Sequence, residues 1–198
     1  MKSCIILCGG RGKRMGKDKG TLILEDQPLL LHVLESLPPT DEIILVLRDQ
    51  KQYQDYKQIL STFKEVKVSL DREIDQGPLV GILTGLSTSE SNKSLIIPCD
   101  SPLISATFVE SMLEHPLEGY AALVPRWPNG QTEPLHAVYH KSKTLPVIEK
   151  LLKKGVRNVK ALFNHLPVLY LEAESLDPGG DTFFNLNRPQ DLENLKNR

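Results

Sequence analysis

Short apolar runs recur along this chain with room for one amphipathic helix between each pair, and that alternation limits the fold more than any other feature. Residues 3–8, 42–47, 66–70 and 94–98 are apolar segments of strand length, the pattern of buried parallel strands. Between them, residues 28–37 open on a proline, carry Leu30, Val33, Leu34 and Leu37 at helical spacing, and stop at Pro38-Pro39. Residues 50–63 set Tyr53, Tyr56, Ile59, Leu60 and Phe63 along a second helical stripe, and further helices are expected after Gly77-Pro78 and Ser101-Pro102. Strand-helix-strand units with short connections demand right-handed crossovers. The expected fold is therefore α/β: a doubly wound, mostly parallel sheet with helices on both faces.

Beyond about residue 118 the pattern loosens. Strands are expected at 119–125 and 134–140 around a turn at 127–130, helices at 143–153 and 158–163, and a last strand at 167–171. A Gly-rich turn at 178–181 follows, then Asn185-Leu-Asn187 and a helix begun by Pro189. A chain of 198 residues is short for two ordinary domains, so 1–198 reads as one domain, with 118–198 elaborating the sheet begun in 1–117. A net charge of −1 with 25% charged residues argues against a general nucleic-acid or membrane-surface binder, so any basic site is local. The run between Lys2 and Gly9 is too short for a signal-peptide core, and no stretch approaches about 20 apolar residues, which leads to a cytoplasmic expectation. Cys4, Cys8 and Cys99, odd in number and set in or beside apolar runs, read as reduced structural thiols.

In such a sheet, ligands sit beyond the carboxyl ends of the strands, and the exit of the first strand is a common phosphate site. Here that exit reads Leu7-Cys-Gly-Gly-Arg-Gly-Lys-Arg-Met-Gly-Lys-Asp-Lys19. Gly9, Gly10, Gly12 and Gly16 permit tight turns whose N–H groups converge, while Arg11, Lys13, Arg14, Lys17 and Lys19 set five cations against Asp18. A polyanion suits such a loop. Arg11 stands where a P-loop needs its opening glycine, and Met15 where a dinucleotide fold needs its third, so neither site fits.

The segment Ile96-Ile-Pro-Cys-Asp100-Ser-Pro102 puts a carboxylate just past the fourth strand, on the same edge. One carboxylate beside a triphosphate is sufficient protein ligation for Mg²⁺; the competing role is a cap for the helix that follows. Asp71 ends the third strand there and leads into Gly77-Pro-Leu-Val-Gly81.

The pattern Leu-x-Gly-Gly-x-Gly-x-Arg-Met-Gly-x-Asp-Lys resembles the signature loop of the nucleotidyltransferases that activate sugars, isoprenoid precursors and the molybdopterin cofactor. From that loop through Gly77-Pro-Leu-x-Gly81, Pro98-Cys-Asp100 and Glu133-Pro-Leu135 to Asn185-Leu-Asn187, the order of motifs resembles the molybdenum cofactor guanylyltransferases over nearly the whole length. That family joins the GMP part of GTP to molybdopterin. The resemblance implies a nucleotide-binding half up to about residue 117 and an acceptor-side half after it. Within it, Leu7, Cys8, Gly9 and Gly10 would meet the nucleotide, Arg14 and Lys19 would neutralise the triphosphate, and Asp100 would hold Mg²⁺. Asp71, Gly77 and Gly81 would be further nucleotide contacts, and Arg157, Asn185 and Asn187 would bind the acceptor. The family commonly has alanine where this chain has Cys8, a change that a backbone contact does not feel.

Paired amides on one strand face suit a pterin's alternating donors and acceptors, although Asn187 alone would also serve as a helix cap. Arg157, after Lys153-Lys154-Gly155, reads equally as solvated surface. His136 and His140 stand four apart, but in an alternating strand pattern, which argues against a helical zinc pair. Trp127, the only tryptophan, is open to interface packing and to pterin stacking.

The reaction implied is in-line attack of the acceptor's phosphate on the α-phosphorus of GTP, with positioning and charge neutralisation as its catalysis. The resemblance further implies transient contact with cofactor-delivery proteins and molybdoenzymes. Transfer of CMP to molybdopterin, or of a nucleotide to a sugar or isoprenoid phosphate, would use the same first loop. A non-catalytic nucleotide sensor or adaptor would be expected to lack Asp100 or Lys19, and both are present.

Overall fold

In a computed structural model, which describes residues 1–9, 18–63, 65–71, 77–186 and 189–196, the first apolar run becomes β1 (Ser3–Leu7) at the centre of the sheet. A short hairpin of β2 (Ile23–Leu24) and β3 (Gln27–Pro28) turns through Glu25 and Asp26, both in the left-handed region, and delivers the chain to α1 (Leu29–Glu35). Then come β4 (Glu42–Leu47), α2 (Gln50–Leu60), β5 (Val66–Leu70), α3 (Pro78–Thr88), β6 (Lys93–Pro98) and α4 (Ala106–Glu114). The second half supplies β7 (Ala122–Arg126), β8 (Val138–His140), α5 (Lys141–Lys153), β9 (Val168–Glu172), the short α6 (Ala173–Leu176) and α7 (Pro189–Lys196).

The seven-stranded sheet has the order β5-β4-β1-β6-β8-β7-β9. β5, β4, β1 and β6 are parallel neighbours, β8 runs against both β6 and β7, and β9 is parallel to β7. The doubly wound, mostly parallel expectation is met, with β8 as the antiparallel insertion among these strands.

Alternation along each strand splits the core in two. Cys4, Ile6, Leu45, Leu47, Leu95 and Ile97 face α1, α2 and α4; Ile5, Ile44, Val46 and Ile96 face α3 and α5. Each fully buried aliphatic side chain contributes about 1.5–3 kcal/mol, so the two stripes on one strand commit both faces to helices.

Some boundaries differ from the periodicity. The expected strand at 134–140 shrinks to β8 because Pro134 has no N–H, and a turn closes where His136 N donates to Glu133 O at 3.1 Å. Residues 158–163 form a 3₁₀ segment, Val159–Asn164, with Asn158 Oδ1 accepting from Lys160 N at 2.9 Å. α2 stops at Leu60, short of the Phe63 that the apolar stripe suggested.

At the edge where β1 and β4 begin, Glu42 is 4% exposed. It accepts from Ser3 Oγ at 2.9 Å, Ser89 Oγ at 2.7 Å and Lys67 Nζ at 3.1 Å. Burial raises its pKa, but these donors and the Glu90 N–H lower it further than burial lifts it. The opposite edge, where the parallel strands end, is where the polar residues converge.

Candidate active site

The carboxyl edge is held by one glutamine. Gln52, completely buried on α2, donates from Nε2 to Cys8 O at 2.7 Å and to Asp18 Oδ2 at 2.5 Å, and its Oε1 accepts from Arg48 N at 2.6 Å. One side chain thus ties the exit of β1, the exit of β4 and the far end of the glycine loop. Tyr56, one turn later, donates its hydroxyl to Asp18 Oδ1. Burial raises the Asp18 pKa, and the Tyr56 and Gln52 donors offset part of that rise. The residue before Lys19 is therefore anchored in the protein, and Lys19 begins a 3₁₀ turn, Lys19–Thr21.

Lys19 Nζ meets Asp100 Oδ2 at 2.5 Å, with side-chain exposures of 25% and 13%. Asp100 does not cap a helix: α4 begins at Ala106, and Ser105 Oγ accepts from Phe108 N at 3.2 Å. The alternative structural role for Asp100 is thereby excluded. Its backbone carbonyl accepts from Leu186 N at 2.9 Å, which draws the C-terminal segment against it.

Ser101, fully buried, donates to Asn185 Oδ1 at 2.7 Å and lies 3.0 Å from His136 Nε2. Since the hydroxyl proton goes to Asn185, His136 must donate from Nε2, and Nδ1 carries no proton. Burial drives the His136 pKa down to about 3, so the ring stays neutral and the relay has one polarity. The chain His136 to Ser101 to Asn185 fixes which end of the Asn185 amide points away from Ser101.

On the other flank, Asp71 reaches across from the end of β5. A Cβ on Gly9 would stand 2.8 Å from Asp71 Oδ2, so only glycine lets this carboxylate lie over the β1 exit. The same construction on Gly81 comes within 3.3 Å of Leu7 Cδ2 and 4.0 Å of Asp71 Oδ1. Asp71 Oδ1 and the hydroxyl of Thr84 are buried without a hydrogen-bond partner among the described residues. Burial raises Asp71 to about pKa 6, with the nearby Thr84 hydroxyl opposing the shift. A buried carboxylate oxygen without a partner among the described residues is an invitation to a ligand's N–H donors.

Leu7, Cys8, Gly9, Asp71 and Gly81 are thus gathered on one side and Lys19, Asp100 and Asn185 on the other. Gly77 caps α3 with φ of 84°. Arg157 belongs to that flank: its backbone O lies 3.5 Å from the Cβ position of Gly77, and its guanidinium donates to Leu152 O at 2.9 Å. It sits beside the start of α3 and the end of α5. Gly10, Arg14 and Asn187 lie outside the described residues. Among the described residues no three metal-ligating side chains cluster, so an ion here would depend on Asp100 and on substrate oxygens, a donor set that suits Mg²⁺.

Residue patterns did not single out Asp18, Arg48, Gln52, Ser101, Thr84 or His136 for these roles. Gln52 and Tyr56 stand four apart on α2, and a polar residue in phase with a buried tyrosine was the available signal.

The carboxyl edge of the sheet thus carries the Lys19–Asp100 pair on one flank and Asp71, over the exit of β1, on the other. The model of the MobA-like NTP transferase domain matches residues 4–168. A protein of Methanosarcina mazei named "Probable molybdenum cofactor guanylyltransferase" is 39% identical over 98% of this chain and 89% of its own length. The "Molybdenum cofactor guanylyltransferase" of Vibrio cholerae is 34% identical over 96% of this chain and 89% of its own. The crystal structure of "Molybdopterin-guanine dinucleotide biosynthesis protein A" from Archaeoglobus fulgidus superposes with a TM-score of 0.83 at 27% identity, covering 100% of this chain and 97% of that one. The chain belongs to the MobA-like NTP transferase family.

Proposed function

We propose that this enzyme transfers GMP from GTP to the terminal phosphate of molybdopterin, releasing pyrophosphate. The observation that carries the reading is the Lys19–Asp100 pair at the carboxyl edge of the sheet, in a chain whose relatives of that name align nearly end to end. An acceptor phosphate oxygen forms the new bond to the α-phosphorus, and the bond from that phosphorus to the bridging oxygen of pyrophosphate breaks. An ionised phosphate needs no general base. Lys19 opposes charge on the transferring phosphoryl group, and the Asp18 anchor keeps it in place before substrate arrives. When bound, Mg²⁺ would supply further neutralisation of the phosphate oxygens, with Asp100 as its protein ligand.

Guanine is favoured by Asp71, whose half-buried carboxylate suits the adjacent N1–H and amino donors of that base. Asn185, its amide oriented by Ser101, serves the acceptor. Arg157, whose backbone carbonyl lies beside Gly77, is read as a ligand of the acceptor's phosphate. No described helix is long and apolar enough to cross a membrane, and three free, buried cysteines support a reducing compartment, the cytoplasm. Transient contact with proteins that deliver and collect the cofactor is part of the same reading.

The test is incubation with molybdopterin, Mg²⁺ and each labelled triphosphate, with identification of the nucleotide joined to the pterin. GTP should be the donor; preferential incorporation of CMP or UMP would overturn the assignment. Lys19→Met and Asp100→Asn should each lower turnover by about 100-fold or more while the far-UV spectrum stays unchanged. Near-normal turnover by either would refute its role.

A further inference from the structure

Resting on that reading, we propose that the cavity between Trp127 and Phe184 receives the pterin ring of the acceptor, with Glu133 as its polar anchor. The cavity measures about 310 Å³, the size of a small-molecule site, and is lined by Trp127, Gln131, Glu133, Gly180, Phe183 and Phe184 among others.

Topology puts it on the reacting edge. β7 is antiparallel to β8, which is antiparallel to β6, so β7 runs the same way as β6 and Trp127 emerges on the edge that carries Asp100. The aromatic wall Phe183-Phe184 continues directly into Asn185, bonded to Ser101, and Leu186, bonded to Asp100 O. Two residues of chain, about 7 Å when extended, separate Phe184 in the cavity wall from Leu186, whose N–H meets the Asp100 carbonyl.

The lining matches a flat, donor-rich heterocycle. Trp127 is fixed edge-to-face against Phe183 with ring centres 5.4 Å apart. Glu133 Oε1 accepts from Trp127 Nε1 at 2.9 Å and from Gln131 Nε2 at 3.2 Å, which holds the carboxylate and the indole as one unit. A 2-amino-4-oxo pyrimidine edge offers a ring N–H and an amino group side by side; with Oε1 of Glu133 taken by the two protein donors, Oε2 is the oxygen that accepts from that edge. Gly180, at φ of 69°, would carry a Cβ only 3.1 Å from Trp127 Cη2, so a side chain there would crowd the indole. Guanine and pterin share that donor edge, and among the described residues a carboxylate stands on each flank: Asp71 on the nucleotide flank and Glu133 on the flank of β7.

Trp127 is the only tryptophan, so tryptophan fluorescence of the full chain, excited beyond the absorption of its five tyrosines, reports on this cavity. Titration with free pterin should quench it saturably, and Glu133→Gln should raise the dissociation constant about tenfold or more. In the transfer assay, Trp127→Phe and Glu133→Gln should raise KM for molybdopterin and leave KM for GTP within about twofold, with melting temperatures verifying the fold. Quenching by guanosine as strong as by pterin, or an unchanged molybdopterin KM in both variants, would overturn the proposal. Pterin binding that Glu133→Gln weakens, in a protein that transfers no nucleotide to molybdopterin, would sustain the pocket and sink the function. Transfer with unaltered KM would do the reverse.

Discussion

Asp71→Asn should make the ligand-free protein more stable at neutral pH and a poorer nucleotide binder. The folded carboxyl has a pKa of about 6 against an ordinary 3.8. A shift of about two units corresponds to about 3 kcal/mol at most, and partial solvent screening reduces it to about 1–2 kcal/mol. The sign follows from proton counting. Between about pH 4 and 6 the folded chain binds more protons at Asp71 than the unfolded chain does, so this group's contribution falls as pH rises through that window. Above pH 6 the charged, buried carboxylate is a net cost, which an amide of the same shape removes. For a chain of this length the gain is about 3–6 °C in Tm near pH 7.5, shrinking towards zero below about pH 4. The assay is paired thermal unfolding of wild type and variant across pH 3.5–8, with GTP affinity measured at neutral pH. A variant less stable at pH 7.5, or a difference that does not change with pH, would refute the desolvation argument. Unaltered GTP affinity would remove Asp71 from the nucleotide site.

Two further perturbations probe the supports of the site and of the sheet. Tyr56→Phe removes one donor from half-buried Asp18 and should cost about 1–3 kcal/mol in chemical denaturation, with a several-fold loss of kcat as Lys19 loses its anchor; full stability and full kcat together would contradict the anchoring role. Glu42→Gln should cost about 1–3 kcal/mol near neutral pH. Since the folded Glu42 pKa is lowered, that penalty is present above the unfolded value of 4.5 and fades as pH falls below it, which urea melts at pH 7 and pH 4 would measure.

Much of the chain was legible from local pattern because its driving forces are local. Apolar runs of strand length and helical stripes commit neighbouring residues, so Glu42–Leu47, Val66–Leu70 and the helix after Gly77-Pro78 follow from periodicity alone. The placement of the glycine loop, Asp71 and Asp100 at strand ends follows as well, since parallel strands share one carboxyl edge. Asp100 as a partner of Lys19 rather than a helix cap, by contrast, depended on α4 starting at Ala106.

What tertiary structure alone decided are the contacts between residues far apart in the chain. Tyr56 has the phase of a core residue on α2, and only the packing of that helix beside β1 turns its hydroxyl onto Asp18. His136 carries no local mark of its role, because its partner Ser101 and Ser101's partner Asn185 arrive from two other segments. Insertion of antiparallel β8 between β6 and β7 sets Trp127 on the reacting edge, an outcome fixed by strand order rather than by the turn that holds it. Spacing determines which residues share a face; strand order and register determine which faces meet, and hydrogen bonds a few ångströms long depend on the second.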